Sequence, residues 1–293
     1  MSINDLLLQT FCFIDDQCQG LRLRTRGPKT RLLDSEVLTI EVVGEFLGLD
    51  QDRKLFRYFR RHHAAEFPAL ASVHRTTFVR QAANLAHFSL ELHRNWVNRL
   101  LADHRSFVAD SVPVPVCQLS RADKCRRFAG QARIGKDSQR RGFFYGFRLH
   151  LRTSLQGIIA QVSLAAANVA DLAVIEELLP PSSGCTCLAD RNYWSPKRRE
   201  ELSARGWQLV APFRRASQDP DPERSKQLKI LRQQIETCIS QLAERYHLKR
   251  VWARDLWHLA HRTMRKILSH TLMVWFTVQS GLSPLSFAEL VPV

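Results

Sequence analysis

Three acidic residues far apart in the chain could do metal-assisted phosphoryl chemistry if folding brought them together: Asp110, Asp190 and Glu236. Cutting or joining a phosphodiester puts charge on both the attacking and the leaving oxygen. Two Mg²⁺ or Mn²⁺ ions about 3.5–4 Å apart can stabilise both. Mg²⁺ takes hard oxygen ligands and keeps several waters, so two or three carboxylates are enough. Asp110 sits in Phe107-Val108-Ala109-Asp110-Ser111 and Asp190 ends Cys187-Leu188-Ala189-Asp190. Both segments are apolar, where an unpaired carboxylate is costly. The bland alternative places them at solvated strand ends. Glu236 falls beside an apolar helical stripe of Leu228, Leu231, Ile235, Ile239, Leu242 and Tyr246. Arg232 stands one turn before it, so an ordinary surface pair is the competing reading.

The elements that must position these acids can be read from periodicity. Residues 1–104 read as helices throughout. Ser2 caps the first, and Asp34 or Ser35 caps the second, which carries Val37, Leu38, Ile40, Val43 and Leu47. Beyond 104 the pattern predicts strands over 106–116, 143–153 and 157–164, and a helix over 171–179 with Asn168 and Asp171 at its start. A strand over 185–190, a helix after Ser195-Pro196, a strand over 206–211 and one long helix over 223–246 follow. Pro113 and Pro115 confine the first strand to an edge or an early exit. This order describes an α+β or α/β chain: a helical region at 1–104, then, at 105–293, a ribonuclease-H-like mixed sheet flanked by helices. In such a sheet the first and fourth strands are neighbours, and the last helix packs beside them.

Composition bounds the partners. The chain of 293 residues is 45% hydrophobic and 24% charged, as in a folded protein, and carries a formal charge of +15. Such an excess favours polyanions, DNA or RNA before an anionic membrane. It concentrates at 121–152, with 10 basic and 2 acidic residues, and at 224–270, with 11 and 3. Seven cysteines without a CxxC or a secretory leader point to reduced thiols in a cytoplasm. Cys185 and Cys187 leave a zinc site only as a weak alternative. The longest apolar run, 271–278, is too short to span a bilayer and reads as buried helix.

Eight segments are distinctive together: Leu33-Asp34-Ser35-Glu36-Val37-Leu38-Thr39, Tyr58-Phe59-Arg60-Arg61 and Arg75-Thr76-Thr77-Phe78-Val79-Arg80-Gln81-Ala82, then Asp110-Ser111 and Cys125-Arg126-Arg127-Phe128. Phe144-Tyr145-Gly146-Phe147-Arg148-Leu149-His150, Ala167-Asn168-Val169-Ala170-Asp171 and Ile235-Glu236-Thr237-Cys238-Ile239-Ser240-Gln241-Leu242 complete the set. Taken together, they resemble the DDE transposases of bacterial insertion sequences, in particular the insertion-sequence-982-type branch. The resemblance implies that Asp110, Asp190 and Glu236 bind two Mg²⁺ or Mn²⁺ ions and that Arg232 contacts phosphate. It also implies excision and strand transfer of an element bounded by inverted repeats, with two copies of the chain pairing the ends. After the second acid the family pattern is Asp-Lys-Gly-Tyr. Here Asp190-Arg191-Asn192-Tyr193 stands, with Ala189 in place of a preceding Gly. Asn192 is expected to take over a left-handed turn position.

Other residues have two readings each. Arg148 and His150 point to one face of a strand, toward DNA phosphate or simply to solvent. Tyr193 and Trp194 stack on an unpaired base or pack under the sheet. Arg126, Arg127, Arg140 and Arg141 lie in a basic, Gly-containing loop over 121–141, expected to be mobile until it grips DNA. Arg60 and Arg61, with the helix after His74, suit a helix-turn-helix-like reader of the element's ends. Two functional alternatives stay open: a catalytically decayed DNA-binding remnant, and a ribonuclease-H-like nuclease that cuts without strand transfer.

Overall fold

The computed structural model describes residues 1–19, 30–137, 142–182, 184–215, 217 and 219–291. The chain begins with helices α1 (Ile3–Cys18), α2 (Asp34–Phe46), α3 (Asp52–His62), α4 (Arg75–Asn84) and α5 (Ala86–Leu100). Strands β1 (Ser106–Cys117), β2 (Arg133–Asp137), β3 (Gly142–Ser154) and β4 (Ile159–Ala166) follow, then α6 (Asp171–Leu178) and β5 (Cys185–Leu188). After these come α7 (Pro196–Ser203), β6 (Trp207–Val210), α8 (Pro222–Leu231), α9 (Gln233–Glu244), α10 (Leu256–Gln279) and α11 (Phe287–Leu290). Two compact units result, Met1–Asn95 with Leu242–Val293, and Trp96–Gln241. The segment after Leu242, which the sequence pattern joined to 105–293, thus packs with the N-terminal helices.

The first unit is helical. Ser2 forms a capping box with Asp5, as its type and position predict. The second cap differs from expectation. Leu33 holds the cap position, and the Glu36 carboxylate accepts its N–H at 2.7 Å. Asp34 is instead fixed by Gln81, whose amide donates to it at 2.7 Å. Helix α2 is buried on nearly every face, with Val37, Leu38, Ile40, Val42, Val43 and Phe46 in the core. Glu41 and Glu45 are buried with them and must be paired. Their partners come from α10. Arg265 reaches Glu45, Glu41 and Asp52, Lys266 reaches Glu45 at 2.5 Å, and His261 reaches Glu41 at 3.1 Å. Arg262 joins Asp52 at 2.5 Å. Burial pushes the Glu41 carboxyl up, but His261 and Arg265 more than offset it and hold it below the ordinary range. Part of the basic excess at 224–270 is therefore spent inside a helical core: Arg265 and Lys266 are 2% and 1% exposed. No helix among the described residues is long and apolar enough to cross a membrane.

His270 on α10 lies against the rings of Tyr246 and Phe287, at 5.8 and 5.3 Å. Burial pushes its pKa down to about 3. The unfolded chain takes up this proton near pH 6.5 and the folded chain does not, so stability is complete above that pH and falls below it. Between pH 6.5 and 4.5 the group should cost up to roughly 2–3 kcal/mol. Urea unfolding at both pH values will show wild type losing that much more than His270→Phe. Equal losses would show that His270 does not set the slope.

In the second unit the sheet runs β2-β3-β1-β5-β6, with β4 also on β3. Strands β1, β2 and β4 pair antiparallel to β3, whereas β1, β5 and β6 are mutually parallel. The adjacency of the first and fourth predicted strands is present as β1 against β5. Strand β1 is central only at its start, since β5 pairs with Ser106, Phe107 and Val108 and then ends. Pro113 and Pro115 fall beyond that point, where one flank no longer needs an N–H donor. Strand β2 was hidden in the expected basic loop, because Arg133-Ile134-Gly135-Lys136-Asp137 lacks an apolar alternation. Its pairing with the first residues of β3 supplies the order instead. The single long helix is divided into α8 and α9 at Arg232, although backbone bonds from Arg232 to Leu228 (3.1 Å) and from Glu236 to Arg232 (3.3 Å) span the division. Leu231, read as part of the apolar stripe, is exposed.

Candidate active site

Parallel pairing of Val108 with Leu188 carries β1 and β5 side by side, and each strand has its aspartate two residues further on. Asp110 and Asp190 therefore emerge level with each other where β5 stops. Asp110 is largely enclosed. Its Oδ1 accepts the Ser111 N–H at 2.8 Å and its Oδ2 accepts Arg232 Nη2 at 2.8 Å. Burial pushes its carboxyl up to about 6. Arg232 and the Ser111 N–H pull the other way, and the charge of Asp190 adds to the rise. The Asp190 carboxyl is raised too, again by burial first, with Asp171 contributing. Two carboxylates share a place short of positive charge, which Arg232 only partly relieves.

Asp190 opens a tight helical turn over Arg191–Tyr193, its Oδ1 accepting the Asn192 N–H at 2.9 Å. The expected left-handed role of Asn192 is not what the chain uses. Among described non-glycine residues only Phe128 and His247 have positive φ. The Asn192 side chain instead donates to Asp190 Oδ2 at 3.1 Å, a bond glycine lacks. Ala189 is buried, with its N–H on Val210 O at 3.0 Å.

Tyr193 is fully buried, so packing under the sheet, not base stacking, is its role. Its hydroxyl has no hydrogen-bond partner among the described residues. Burial, followed by the charges of Asp171, Asp110 and Asp190, pushes it well above its usual pKa. Trp194 is half-buried, edge-on to Phe213 at 4.7 Å.

Residues paired across antiparallel strands share a face. Asp110 opposite Leu151 thus faces one side of the sheet, while Ser111 opposite His150 and Pro113 opposite Arg148 face the other. On that second side Asp171 gathers Ser111 Oγ at 2.9 Å, His150 Nδ1 at 3.4 Å and Arg148 Nε at 4.0 Å. His150 is fully buried, and burial lowers its pKa to about 4, only partly offset by Asp171. Arg148 donates to Lys136 O at 2.7 Å and to Ser111 Oγ at 3.3 Å. His150 is therefore not a solvated or DNA-facing group, Arg148 is half-buried, and both brace the strand beside Asp110. Sequence reasoning gave Asp171 only a helix-opening role. The missed signal is the two-residue period of Arg148 and His150, which places two basic groups where a carboxylate is needed. Asn168 makes no cap; Ala170 holds that position, without a side-chain bond.

Glu236 is exposed on the first turn of α9. Among the described residues no three His, Cys, Asp or Glu side chains are gathered closely enough to hold a metal ion. The structure brings Asp110, Asp190 and Arg232 together, and Glu236 follows Arg232 by one helical turn, its N–H on Arg232 O at 3.3 Å. Donor chemistry at the two aspartates fits Mg²⁺ or Mn²⁺: hard oxygens only, from neighbouring strands, with both carboxyls raised. The thiols of Cys185 and Cys187 are buried in β5 and form no zinc cluster with other described residues.

Arg126 and Arg127 are exposed after a short helical turn at Leu119–Lys124. Arg140 and Arg141 lie outside the described residues. In the helical unit Arg60 and Arg61 line an open groove of about 490 Å³ with Arg53, Arg57, His74 and Arg75 around Phe56. No acidic side chain among the described residues lines it.

The family described as a transposase DDE domain matches residues 103–255, more than half of the chain. This chain belongs to the DDE transposase family. Its match begins just before β1 and takes in Asp110, Asp190 and Glu236. Comparison with curated proteins and with solved structures gives no match.

Proposed function

We propose that the chain is the transposase of a bacterial insertion sequence of the 982-type branch, binding the element's inverted-repeat ends and catalysing cleavage and strand transfer of DNA. The observation that carries this reading is the level placement of Asp110 and Asp190 at the end of paired strands, inside the matched transposase domain. The strand order and the helices around the sheet support a ribonuclease-H-like fold for 105–241. Asp110, Asp190 and Glu236 are the proposed ligands of two Mg²⁺ or Mn²⁺ ions. When bound, the ions would activate the attacking oxygen and take charge from the leaving one. Asp110 and Asp190 would supply two of the carboxylates and Glu236, one helical turn after Arg232, the third. Arg232, which donates to Asp110 at 2.8 Å, would contact a phosphate of the cut strand. Ser111, Arg148, His150 and Asp171 keep β1 in place from the opposite face.

Double-stranded DNA is the proposed partner, and the basic groove around Arg60 and Arg61 is the proposed grip on element ends. Arg126 and Arg127, exposed in the catalytic unit, suit a second backbone contact. A homodimer in the synaptic complex and a bacterial, nucleoid-associated cytoplasmic location follow from this function. One observation favours the decayed remnant instead: Ala189 and Asn192 depart from the family pattern on either side of Asp190.

Mg²⁺-dependent nicking of a duplex carrying the inverted repeats that flank the coding region separates the two. Wild type should nick, and Glu236→Gln should lose about 100-fold or more. A silent wild type that still binds the duplex would establish the remnant. Nicking undiminished in Glu236→Gln would remove Glu236 from the site.

A further inference from the structure

At the start of β1, β5 and β6, the end of the sheet away from the aspartates, a guanidinium is held without an anion among the described residues. Arg152 lies opposite Ala109 in the β1–β3 ladder, and Phe107, Cys185 and Trp207 share its face by register. Its Cζ sits 4.8 Å from the centre of the Phe107 ring and 5.1 Å from that of Trp207. Both rings are buried, and Trp207 is itself fixed by an indole N–H bond to Pro180 O at 2.6 Å. Two aromatic faces hold a planar cation in one orientation. Among the described residues none accepts a hydrogen bond from Arg152, and its Nε is buried without a partner. Burial lowers its pKa, and only the thiols of Cys187 and Cys185 pull the other way. An enclosed guanidinium with no carboxylate is the costly half of an ion pair.

A cavity of about 220 Å³ opens on this group, with Arg105 and His104 also on its wall and no acidic side chain among the described residues. Ser182 adds a hydroxyl, and the rings add apolar sides. Phe107 is three residues before Asp110 and faces the opposite side of the sheet, so the cavity is about 10 Å along β1 from the aspartates and separate from them.

We propose that this cavity is an oxyanion site that takes a phosphate group on the forked N–H edge of Arg152. The fork matches two phosphate oxygens, and Arg105 and His104 supply further positive charge. A terminal phosphate of DNA and a free phosphate, alone or on a nucleotide, present the same chemistry. The proposal goes beyond the transposition reading and does not depend on it, since the test below reads binding and not cutting.

The test titrates the full chain with inorganic phosphate by calorimetry, without divalent metal and at ionic strength held constant with sodium chloride. Wild type should show one saturable site. Arg152→Met should weaken it at least about tenfold, the effect of losing one charged hydrogen-bonding group. Arg152→Lys, which keeps the charge and decides the matter if the Met variant does not fold, should weaken it about fivefold by losing the fork. Lys197→Gln, at an exposed lysine outside the cavity, should leave it unchanged. Wild-type affinity in both Arg152 variants, or loss of the site in the Lys197 variant, would overturn the proposal. Competition with a short duplex, with and without a 5′-phosphate, then assigns the source. Tenfold better displacement by the phosphorylated form supports the site with a DNA end as ligand, and equal displacement supports it with free phosphate.

Discussion

Asp110→Asn will give a folded chain that binds DNA and no longer cuts it. The change removes one hard oxygen ligand and its charge from the place where β5 ends. A proposed two-ion site without it should lose roughly three orders of magnitude in nicking, about 4 kcal/mol of barrier. The fold should hardly notice. The Arg232 bond at 2.8 Å is weakened, yet burial and Asp190 both disfavour the Asp110 charge, raising its carboxyl to about 6. The two effects oppose each other and should leave stability within about 1 kcal/mol. Unfolding midpoint, duplex binding and Mg²⁺-dependent nicking measured on one preparation check all three parts. Nicking within tenfold of wild type would mean that Asp110 holds no catalytic metal.

Arg265→Met should be the most damaging single change in the helical unit, at about 3–5 kcal/mol. Methionine fills much of the space, so the loss is electrostatic. Glu45, Glu41 and Asp52 all touch Arg265, and both glutamates are essentially without solvent. Lys266 still faces Glu45 and His261 still faces Glu41, but among the described residues Arg265 is the group that touches all three carboxylates. Replacing Glu45 by Gln in the same chain should recover part of the loss, because one orphaned charge is gone. Denaturant unfolding of the single and double variants checks this. A single-variant loss below about 1 kcal/mol would show the cluster to be a set of weak pairs.

Much of this fold was legible because local signals agreed with one another. Ser2 and Ser195 are caps by type, Pro196 opens its helix, and the alternation over 143–153 marks β3. The order of acids and strands correctly placed Asp110 and Asp190 side by side, since strand adjacency follows from a mixed sheet of that order. What stayed hidden is tertiary. Strand β2 has no apolar period of its own and exists through pairing with Gly142–Ser154. Charge counting treats Arg265 and Lys266 like any exposed cation, but buried carboxylates on α2 consume them. His150 lies on a strand facing a helix, so its burial depends on α6 and not on its neighbours in sequence. Asn192 was read as a replacement for glycine, whereas its value lies in a side-chain bond to Asp190.

The most direct measurement is Mn²⁺ binding followed by electron paramagnetic resonance, on the full chain with a duplex carrying the inverted repeats. Wild type should bind two ions, while Asp110→Asn and Asp190→Asn should each lose at least one and Glu236→Gln should weaken one. Identical occupancy in wild type and all three variants would contradict a metal site built on these acids.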